Sequence, residues 1–288
     1  MDLYMISYYK PELQLYKELG LRWENISYYN QKIKTGEFFA FPKILHGFWE
    51  KLVGIELDQV PEGRQKYLYP QEPGQEYNSD HRSRCRVYHP CIDNYYGELF
   101  KMIKGPQPEG LFLGVSHLGF SGDVALIREP NDMLAVMKKL LEGNNALHYG
   151  LVWKDACYSG RILDFIKTIR ERRVVVVGME HLRGLQAAWD IPDFHHHLVS
   201  PPVMEKLDST ILKLLRLNMS MRDKPTVYLF QLGGSASAFV IYSLKRHFKN
   251  GWMIDLGRAM DLWLPEGQNQ AWVLKMEKKA MNRLLHPK

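Results

Sequence analysis

The chain has 288 residues, of which 45% are hydrophobic and 24% are charged. These proportions are typical of a globular protein with a sizeable core, so they exclude a mostly disordered chain and allow one large domain or two smaller ones. The net charge of +6 attracts anions and is compatible with a nucleotide diphosphate, an anionic membrane surface or a nucleic acid.

The three cysteines, Cys85, Cys91 and Cys157, cannot all pair with one another. Because the N-terminus also shows no secretory signal, we expect reduced thiols and a cytoplasmic protein. No stretch approaches the roughly 18 uninterrupted apolar residues of a membrane span, so we expect no transmembrane segment. Cys85, His89 and Cys91 lack the second pair of ligands that a zinc finger requires.

Residues 1–105 are rich in aromatic side chains and show few regular patterns. The stretches "PELQLYKELGLRW" and "PKILHGFWEKLVGI" predict short amphipathic helices. From Pro61 to Arg86 the chain combines proline, glycine and charge without a period, which predicts an exposed or substrate-covering loop. The stretch "EFFAFPKILHGFW" is interpreted as a buried aromatic cluster in preference to a membrane contact.

From residue 106 onward, strand patterns alternate with helix patterns. The pattern predicts a strand at "GLFLGVS", "ALHYGLVW", "RRVVVVG", "FHHHLVSPP", "PTVYLFQL" and "GWMIDLG". Four successive valines suit a strand that is covered on both faces, as in a parallel sheet. The predicted fold class is therefore α/β, a Rossmann-like and mostly parallel sheet with helices on both faces over residues 106–288. Ligands of such sheets bind at the carboxyl ends of the strands.

Two of the predicted strands are followed by loops with charged side chains. The first loop, "HLGFSGDVALI", carries Ser121, Gly122 and Asp123. Asp123 could ligate a divalent cation, or it could cap the following helix. The loop after the valine strand, "MEHLRGL", carries Arg183, which could hold a phosphate, and Glu180 or His181, either of which could act as a general base. Solvated surface charges are the alternative interpretation of this second loop.

The last two predicted strands are also followed by polar residues. Gly233, Gly234, Ser235 and Ser237 would place backbone N–H groups and hydroxyls at a helix N-terminus, where anions bind. Their spacing matches neither the dinucleotide-binding fingerprint nor the P-loop. The stretch "GWMIDLGRAMDLW" adds Asp255, Arg258 and Asp261. The two carboxylates either bind a ligand or pair with a neighbouring basic side chain.

Three consecutive histidines, His195 to His197, resemble a metal cluster at first sight. Successive residues of a strand point to opposite faces, so at most two of these side chains could share one ion. A solvated strand end is the favoured interpretation.

The order of these loops resembles that of the GT-D-type glycosyltransferases over residues 110–265. The stretch "GFSGDVALI" is similar to the glycine-rich segment of that family, which bears an Asp-x-Glu motif ahead of a helix. The stretch "RRVVVVGMEHLRGL" is similar to its valine-rich strand and Arg-Gly helix start. "VYLFQLGGSASAFVIYSLKRHFKNGWMIDLGRAMDLW" is similar to its Gly-x-x-Ala helix start, next strand and Asp-x-Gly ending.

The resemblance implies transfer of a sugar from a nucleotide-diphospho-sugar, such as a UDP-sugar, to an acceptor hydroxyl. The residues that it implies for donor binding are Ser121, Gly122, Arg183, Gly233, Gly234, Ser235, Ser237 and Arg258. The carboxylates that it offers for catalysis are Asp123, Glu180, Asp255 and Asp261, with Asp123 also holding Mg²⁺ or Mn²⁺. Where the family has Asp-x-Glu, this chain has Ser121-Gly122-Asp123, and a hydroxyl is a weaker ligand than a carboxylate for these ions.

The acceptor and the reaction class stay open at this stage. Residues 1–105 are the expected acceptor-recognition region, and a glycan, a protein or a modified nucleic acid base would each suit it, with DNA suggested by the positive charge. One alternative is another Rossmann-like nucleotide enzyme, such as an NAD hydrolase. The other is a non-catalytic nucleotide-binding protein, which Ser121 favours.

Overall fold

The computed structural model describes residues 10–44, 90–115, 130–201, 203–233 and 235–265. The α-helices are α1 (Lys10–Glu18), α2 (Ile26–Thr35), α3 (Pro90–Lys104), α4 (Pro130–Leu141), α5 (Val152–Tyr158), α6 (Ile162–Arg170), α7 (Leu185–Ala188), α8 (Leu207–Ser220) and α9 (Ala236–Lys245). Short 3₁₀ helices span Glu180–Gly184, Met204–Lys206 and Gly257–Trp263. The strands are β1 (Ala40–Phe41), β2 (Lys43–Ile44), β3 (Leu113–Val115), β4 (Leu147–Tyr149), β5 (Arg173–Gly178), β6 (Phe194–Leu198), β7 (Thr226–Gln231) and β8 (Gly251–Asp255).

The strands form a mostly parallel sheet with helices on both faces, which confirms the predicted fold class. One group of strands has the order β1-β8-β7-β5-β6 and the other the order β2-β3-β4, and every pairing between these strands is parallel. Because β1 and β2 are consecutive, the two groups meet at residues 40–44. The sheet therefore runs from β4 at one edge to β6 at the other.

Residues 40–44 differ from the prediction for this part of the chain. We expected irregular structure and helices up to residue 105, with a helix starting at Pro42, yet these residues are strands in the middle of the sheet. Pro42 has no N–H group, and it lies where the chain changes partner from β8 to β3. Two short strands around a proline give too short a pattern to be predicted. The boundary near residue 105 falls between α3 and β3 and stays a prediction.

The four valines of β5 alternate between two hydrophobic cores, one on each face of the sheet. Val175 and Val177 face the core that contains side chains of α1, α3, α4, α8 and α9. Val174 and Val176 face the core that contains side chains of α2, α5, α6 and α7. Phe39 and Phe41 are fully buried in this second core, in agreement with the interpretation of that stretch as a buried aromatic cluster.

The chain leaves the neighbouring strands β5 and β7 in opposite directions. From β5 it reaches the edge strand β6 through α7, on the face of the second core. From β7 it reaches β8, towards the centre, through α9 on the face of the first core. Such a switch point opens a crevice at the carboxyl ends of the two strands, where ligands of α/β sheets bind.

Among the described helices, none is both long and apolar enough to cross a membrane.

Candidate functional site

Five polar residues surround the switch point between β5 and β7, and we call them the switch-point cluster. They are His181, Gln231, Ser235, Ser237 and Asp261. Gln231 ends β7 and lies in register with Gly178, the last residue of β5. The other four residues follow β5, β7 or β8 within ten positions of the end of the strand.

Gly178 brings the 3₁₀ helix Glu180–Gly184 close to the end of β7. A Cβ atom at this position would lie 2.5 Å from Cδ1 of Leu182 and 2.8 Å from the carbonyl oxygen of Gln231. Only glycine tolerates that approach without displacing one of them. The glycine at the end of the valine strand therefore places His181 over the crevice.

Asp261 connects the segments that follow β5 and β8 with the end of β7. Its Oδ1 accepts a hydrogen bond of 2.7 Å from Nε2 of Gln231 and lies 3.2 Å from Nε2 of His181. The Asp261 side chain is 6% exposed and the His181 side chain is 17% exposed. The Asp261 carboxylate therefore contacts two nitrogen groups at a position with little solvent access, while part of the His181 ring is exposed to solvent.

Two buried polar atoms of the switch-point cluster have no hydrogen-bond partner within the described part of the chain. They are Oε1 of Gln231 and Oγ of Ser235. A buried polar atom without a partner costs about 1–3 kcal/mol. Five other such atoms lie elsewhere in the described residues, and they are Asn30 Oδ1, Trp153 Nε1, Arg172 Nε, Trp189 Nε1 and His196 Nδ1. Ser237 differs, because its hydroxyl accepts a hydrogen bond of 3.1 Å from the backbone N–H of Leu232.

Ser235, which carries one of the two unpartnered atoms, lies at the N-terminus of α9, a helix of ten residues, whereas Gln231 ends β7. Ser235 occupies the capping position, yet its side chain makes no capping hydrogen bond. Gly233 has a φ of 76° with open space around it, a left-handed conformation that glycine adopts without strain. Free N–H groups and the helix dipole favour an anion at such a terminus.

Several predicted site residues meet at this crevice, whereas others lie outside the described residues. Gly233, Ser235 and Ser237 lie in the turn from β7 into α9, and Asp261 lies beside His181, which we had considered as a base. The predicted residues outside the described part are Ser121, Gly122, Asp123 and Gly234.

The predicted charged residues Glu180, Arg183 and Arg258 lie on exposed parts of the same edge. Nε of Arg183 is 3.2 Å from Oε1 of Glu180, and both side chains are more than half exposed. Arg258 is exposed as well. These three side chains lie near the crevice without joining the hydrogen bonds around Asp261, as far as the described residues show.

Asp255, the last residue of β8, lies near Lys43 of β2 without a direct ion pair between the two side chains, and we call these two residues the Lys43–Asp255 pair. Both are buried, with exposures of 2% and 7%. Burial raises the pKa of Asp255 to about 6, against the Lys43 charge and the backbone N–H groups of Gly257 and Lys43, which act to lower it. Asp255 is therefore a buried carboxylate near a basic side chain, and both roles considered for it stay predictions.

Gly257 holds the chain close to this pair. Its φ is 53°, and a Cβ atom there would lie 2.8 Å from Nζ of Lys43 and 3.7 Å from Oδ1 of Asp255. The Asp-x-Gly ending of the sequence thus fits a carboxylate and a tight turn around one ammonium group.

A further carboxylate, Asp155, lies at the carboxyl end of β4. Burial raises its pKa to about 6, and a hydrogen bond of 2.7 Å from the Tyr149 hydroxyl to Oδ2 opposes that rise. The hydrogen-bond partner of Asp155 within the protein is therefore the Tyr149 hydroxyl.

Two of the three histidines of β6 contact separate partners. Nε2 of His195 is 3.3 Å from Oδ1 of Asp193, and Nε2 of His196 is 3.1 Å from the carbonyl oxygen of Met179. The described residues contain no group of three or more His, Cys, Asp or Glu side chains that could hold a metal ion. The predicted metal ligand, Asp123, lies outside them.

Two residues at this edge were missed by the sequence analysis, Gln231 and Lys43. Gln231 is the one polar side chain near the end of an otherwise apolar strand pattern, which is a usable signal. Lys43 offers no such signal, because it belongs to a strand that the sequence did not reveal.

No family model matches this chain, and no curated protein matches it. A solved structure of selenomethionine-substituted domain of unknown function 1792 is similar in fold, with a TM-score of 0.50, 13% identity, and coverage of 87% of this chain and 83% of that one. A second, described as "The highly conserved domain of unknown function 1792 has a distinct glycosyltransferase fold", has a TM-score of 0.49 at 14% identity, with coverage of 85% and 82%. At this identity the first likeness shows a shared fold, and the GT-D type stays a prediction.

Proposed function

We propose that the protein is a glycosyltransferase whose nucleotide-diphospho-sugar donor binds at the switch point between β5 and β7. The observation that carries the proposal is the Ser235 hydroxyl, buried and without a partner at the N-terminus of α9. The fold shared with domain of unknown function 1792 and the resemblance of the loop sequences to glycosyltransferases support the same reaction class.

The donor diphosphate would lie against the turn from Gly233 to Ser237. Backbone N–H groups at the start of α9 and the Ser235 hydroxyl would donate to phosphate oxygens. Negative charge on the diphosphate grows as the sugar leaves, so donors fixed there stabilise the transition state more than the bound substrate. Arg183 and Arg258, on exposed parts of the same edge, would add positive charge.

Gln231 would recognise a hydroxyl group of the donor. Its Nε2 is already used by Asp261, whereas its Oε1 is a buried acceptor that lacks a donor. A sugar or ribose hydroxyl supplies that missing donor, since hydroxyls both donate and accept hydrogen bonds. A site built in this way rejects an analogue without the hydroxyl, because the acceptor would stay unpaired.

A divalent cation would be held by Asp123 together with the donor phosphates. When bound, Mg²⁺ or Mn²⁺ would neutralise part of the diphosphate charge. Ser121 stands where the resembled family has a carboxylate, so this chain would hold the ion with one carboxylate fewer.

The acceptor would be recognised by the aromatic residues of the first 105 positions. Aromatic faces suit both sugars and nucleic acid bases, and the net charge of +6 keeps DNA among the proposed acceptors. DNA binding would weaken steeply with salt, whereas a flat salt response would exclude DNA.

A thermal-shift screen of nucleotide-sugars, with and without Mn²⁺, tests the donor assignment. A donor at about 100 times its Kd should stabilise the protein by about 2.7 kcal/mol. We expect a UDP-sugar to raise Tm and to be hydrolysed slowly in the absence of acceptor. Consumption of NAD without any response to nucleotide-sugars would favour the NAD hydrolase, and donor binding without hydrolysis would favour the non-catalytic protein.

A further inference from the structure

His181 is the side chain of the switch-point cluster with one ring nitrogen bound and the other available. Its Nε2 lies 3.2 Å from Oδ1 of Asp261. Its Nδ1 has no hydrogen-bond partner among the described residues, and the side chain is partly exposed. The ring therefore has its Nε2 beside Asp261 and its Nδ1 without a partner among the described residues, on a side chain that is 17% exposed.

The neighbours of His181 determine which nitrogen carries the proton. Oδ1 of Asp261 accepts a 2.7 Å hydrogen bond from Gln231, as an ionised carboxylate does. A carboxylate oxygen facing Nε2 favours the tautomer with the proton on Nε2. Nδ1 then keeps its lone pair and can accept a proton from a substrate.

We infer that His181 is the general base of the reaction, that Nδ1 takes the proton of the acceptor hydroxyl, and that Asp261 and Gln231 are positioning residues. This inference rests on the proposed function. As the proton moves to Nδ1, the acceptor oxygen bonds to the anomeric carbon of the sugar. The bond from that carbon to the diphosphate breaks, and its electron pair leaves with the nucleoside diphosphate. The imidazolium then returns its proton to solvent.

The other carboxylates that the sequence analysis considered as general bases are buried or paired with a basic side chain. Asp261 is buried and holds two nitrogen groups, and Asp255 is buried beside Lys43. Glu180 is paired with Arg183 on the exposed surface. A general base needs a free lone pair within reach of the substrate, and His181 has one at the crevice.

The first test compares the variants His181→Ala and His181→Gln with His247→Ala. His247 is an exposed histidine just after α9, close to the start of β8 and hence at the opposite edge of the sheet. The readouts are the affinity for the nucleotide-sugar found in the screen and its rate of hydrolysis, in which water replaces the acceptor. We expect the two His181 variants to bind the donor as the wild type does and to hydrolyse it about 100-fold more slowly or worse. Imidazole added to His181→Ala should restore part of the rate, and His247→Ala should match the wild type.

The outcomes separate the base from the proposed function. A wild-type rate in His181→Ala with intact donor binding would overturn the base assignment and leave the glycosyltransferase proposal standing. Loss of donor binding in both His181 variants would also overturn it, since His181 would then be a binding residue. A wild type that neither binds nor hydrolyses any nucleotide-sugar would refute the proposed function, and the inference with it.

A second test needs no donor. Nitrogen-15 NMR of the full chain identifies the tautomer of each histidine, with His181→Gln used to assign the His181 signals. We expect the proton on Nε2 of His181 in the wild type and a changed tautomer population in Asp261→Asn. A proton fixed on Nδ1 in the wild type would contradict the inference, because no lone pair would then face the crevice.

Discussion

The Lys43–Asp255 pair and the switch-point cluster lie on neighbouring strands at the carboxyl edge of one sheet. In the pair, a buried carboxylate faces an ammonium charge and two backbone N–H groups. In the cluster, Gln231 and Ser235 each keep a buried atom without a partner in the described chain. The carboxylate of the pair thus has an opposite charge and N–H groups nearby, whereas two atoms of the cluster have no hydrogen-bond partner among the described residues.

This difference suggests separate roles for the two sites. Lys43 and Asp255 would affect the stability of the fold, and Gln231 and Ser235 would bind a ligand under the proposed function. Burying a polar group costs free energy unless it is bonded, and Lys43 and two backbone N–H groups offset part of that cost for Asp255. Under the proposed function, a ligand would supply the hydrogen-bond partners that Ser235 and Gln231 lack. Changes in the pair should therefore act on stability, and changes in the cluster on binding.

The largest expected effect comes from breaking the pair. Asp255→Ala removes the carboxylate near the buried Lys43 ammonium. Because the raised pKa shows that the ionised Asp255 is only partly compensated, the free energy of unfolding should fall by about 2–3 kcal/mol, less than the roughly 3–5 kcal/mol of a fully formed buried ion pair. Urea denaturation would measure the loss, and a double variant, Lys43→Met with Asp255→Leu, should recover most of it. Glu98→Ala, which breaks an exposed ion pair with Lys101, is the control and should cost about 1 kcal/mol or less. Equal losses in Asp255→Ala and Glu98→Ala would contradict the pairing.

The pair should also make stability depend on pH. The pKa of Asp255 is raised from 3.8 to about 6, so the folded state holds this proton more tightly than the unfolded chain does. Its contribution is fully present below about pH 3.8 and is lost as the pH rises through about 6, a change of about 3 kcal/mol.

Unfolding free energies measured between pH 4 and 7 should fall in the wild type relative to Asp255→Asn. Asp155, whose pKa is raised into the same range, is present in both proteins and cancels in the difference. Parallel curves would show that Asp255 does not titrate as proposed.

Gly257→Ala tests the tight turn around the pair. A side chain at this left-handed position is strained, and its Cβ would press on Nζ of Lys43, so we expect a loss of about 2 kcal/mol. Gly160→Ala, also left-handed but with open space around it, should cost about 1 kcal/mol. A smaller loss at Gly257 than at Gly160 would argue against close packing against Lys43.

The smallest effect is expected at Ser235, and it concerns binding. Ser235→Ala removes a hydroxyl that has no partner, so stability should be unchanged or slightly higher, while donor affinity falls about tenfold, or about 1.4 kcal/mol. Ser237→Ala removes the acceptor of the Leu232 N–H and should lower stability by about 1 kcal/mol. Calorimetric titration and thermal denaturation of both variants would reveal this crossed pattern. Loss of stability without loss of affinity in Ser235→Ala would contradict a ligand role.

The fold could be predicted where the pattern of side chains was long and repeated. The valines of β5 and the run of β7 are buried on both faces, so their apolar sequences indicated a parallel sheet directly. Residues 40–44 could not be predicted as central strands, because Pro42 divides them and their partners, β8 and β3, are distant in sequence. Local patterns carry no information on such partners.

The sequence predicted which loops carry the candidate site, but it predicted few of the contacts between their side chains. The rule that ligands bind beyond the carboxyl ends of strands selected the loops with His181, Ser235 and Asp261. The sequence did not show that Asp261 would contact His181, since eighty residues separate them. It also did not show that Lys43 would lie near Asp255. These long-range contacts determine which carboxylates have partners within the protein and which could act on a substrate.

Hydrogen–deuterium exchange of the full chain, with and without the nucleotide-sugar from the screen, tests the central claim most directly. We expect the donor to slow exchange in residues 232–241, at the start of α9, and to leave residues 149–158, which include the satisfied carboxylate of Asp155, unchanged. Slowed exchange in residues 149–158 with no change in residues 232–241 would contradict a donor site at the switch point between β5 and β7.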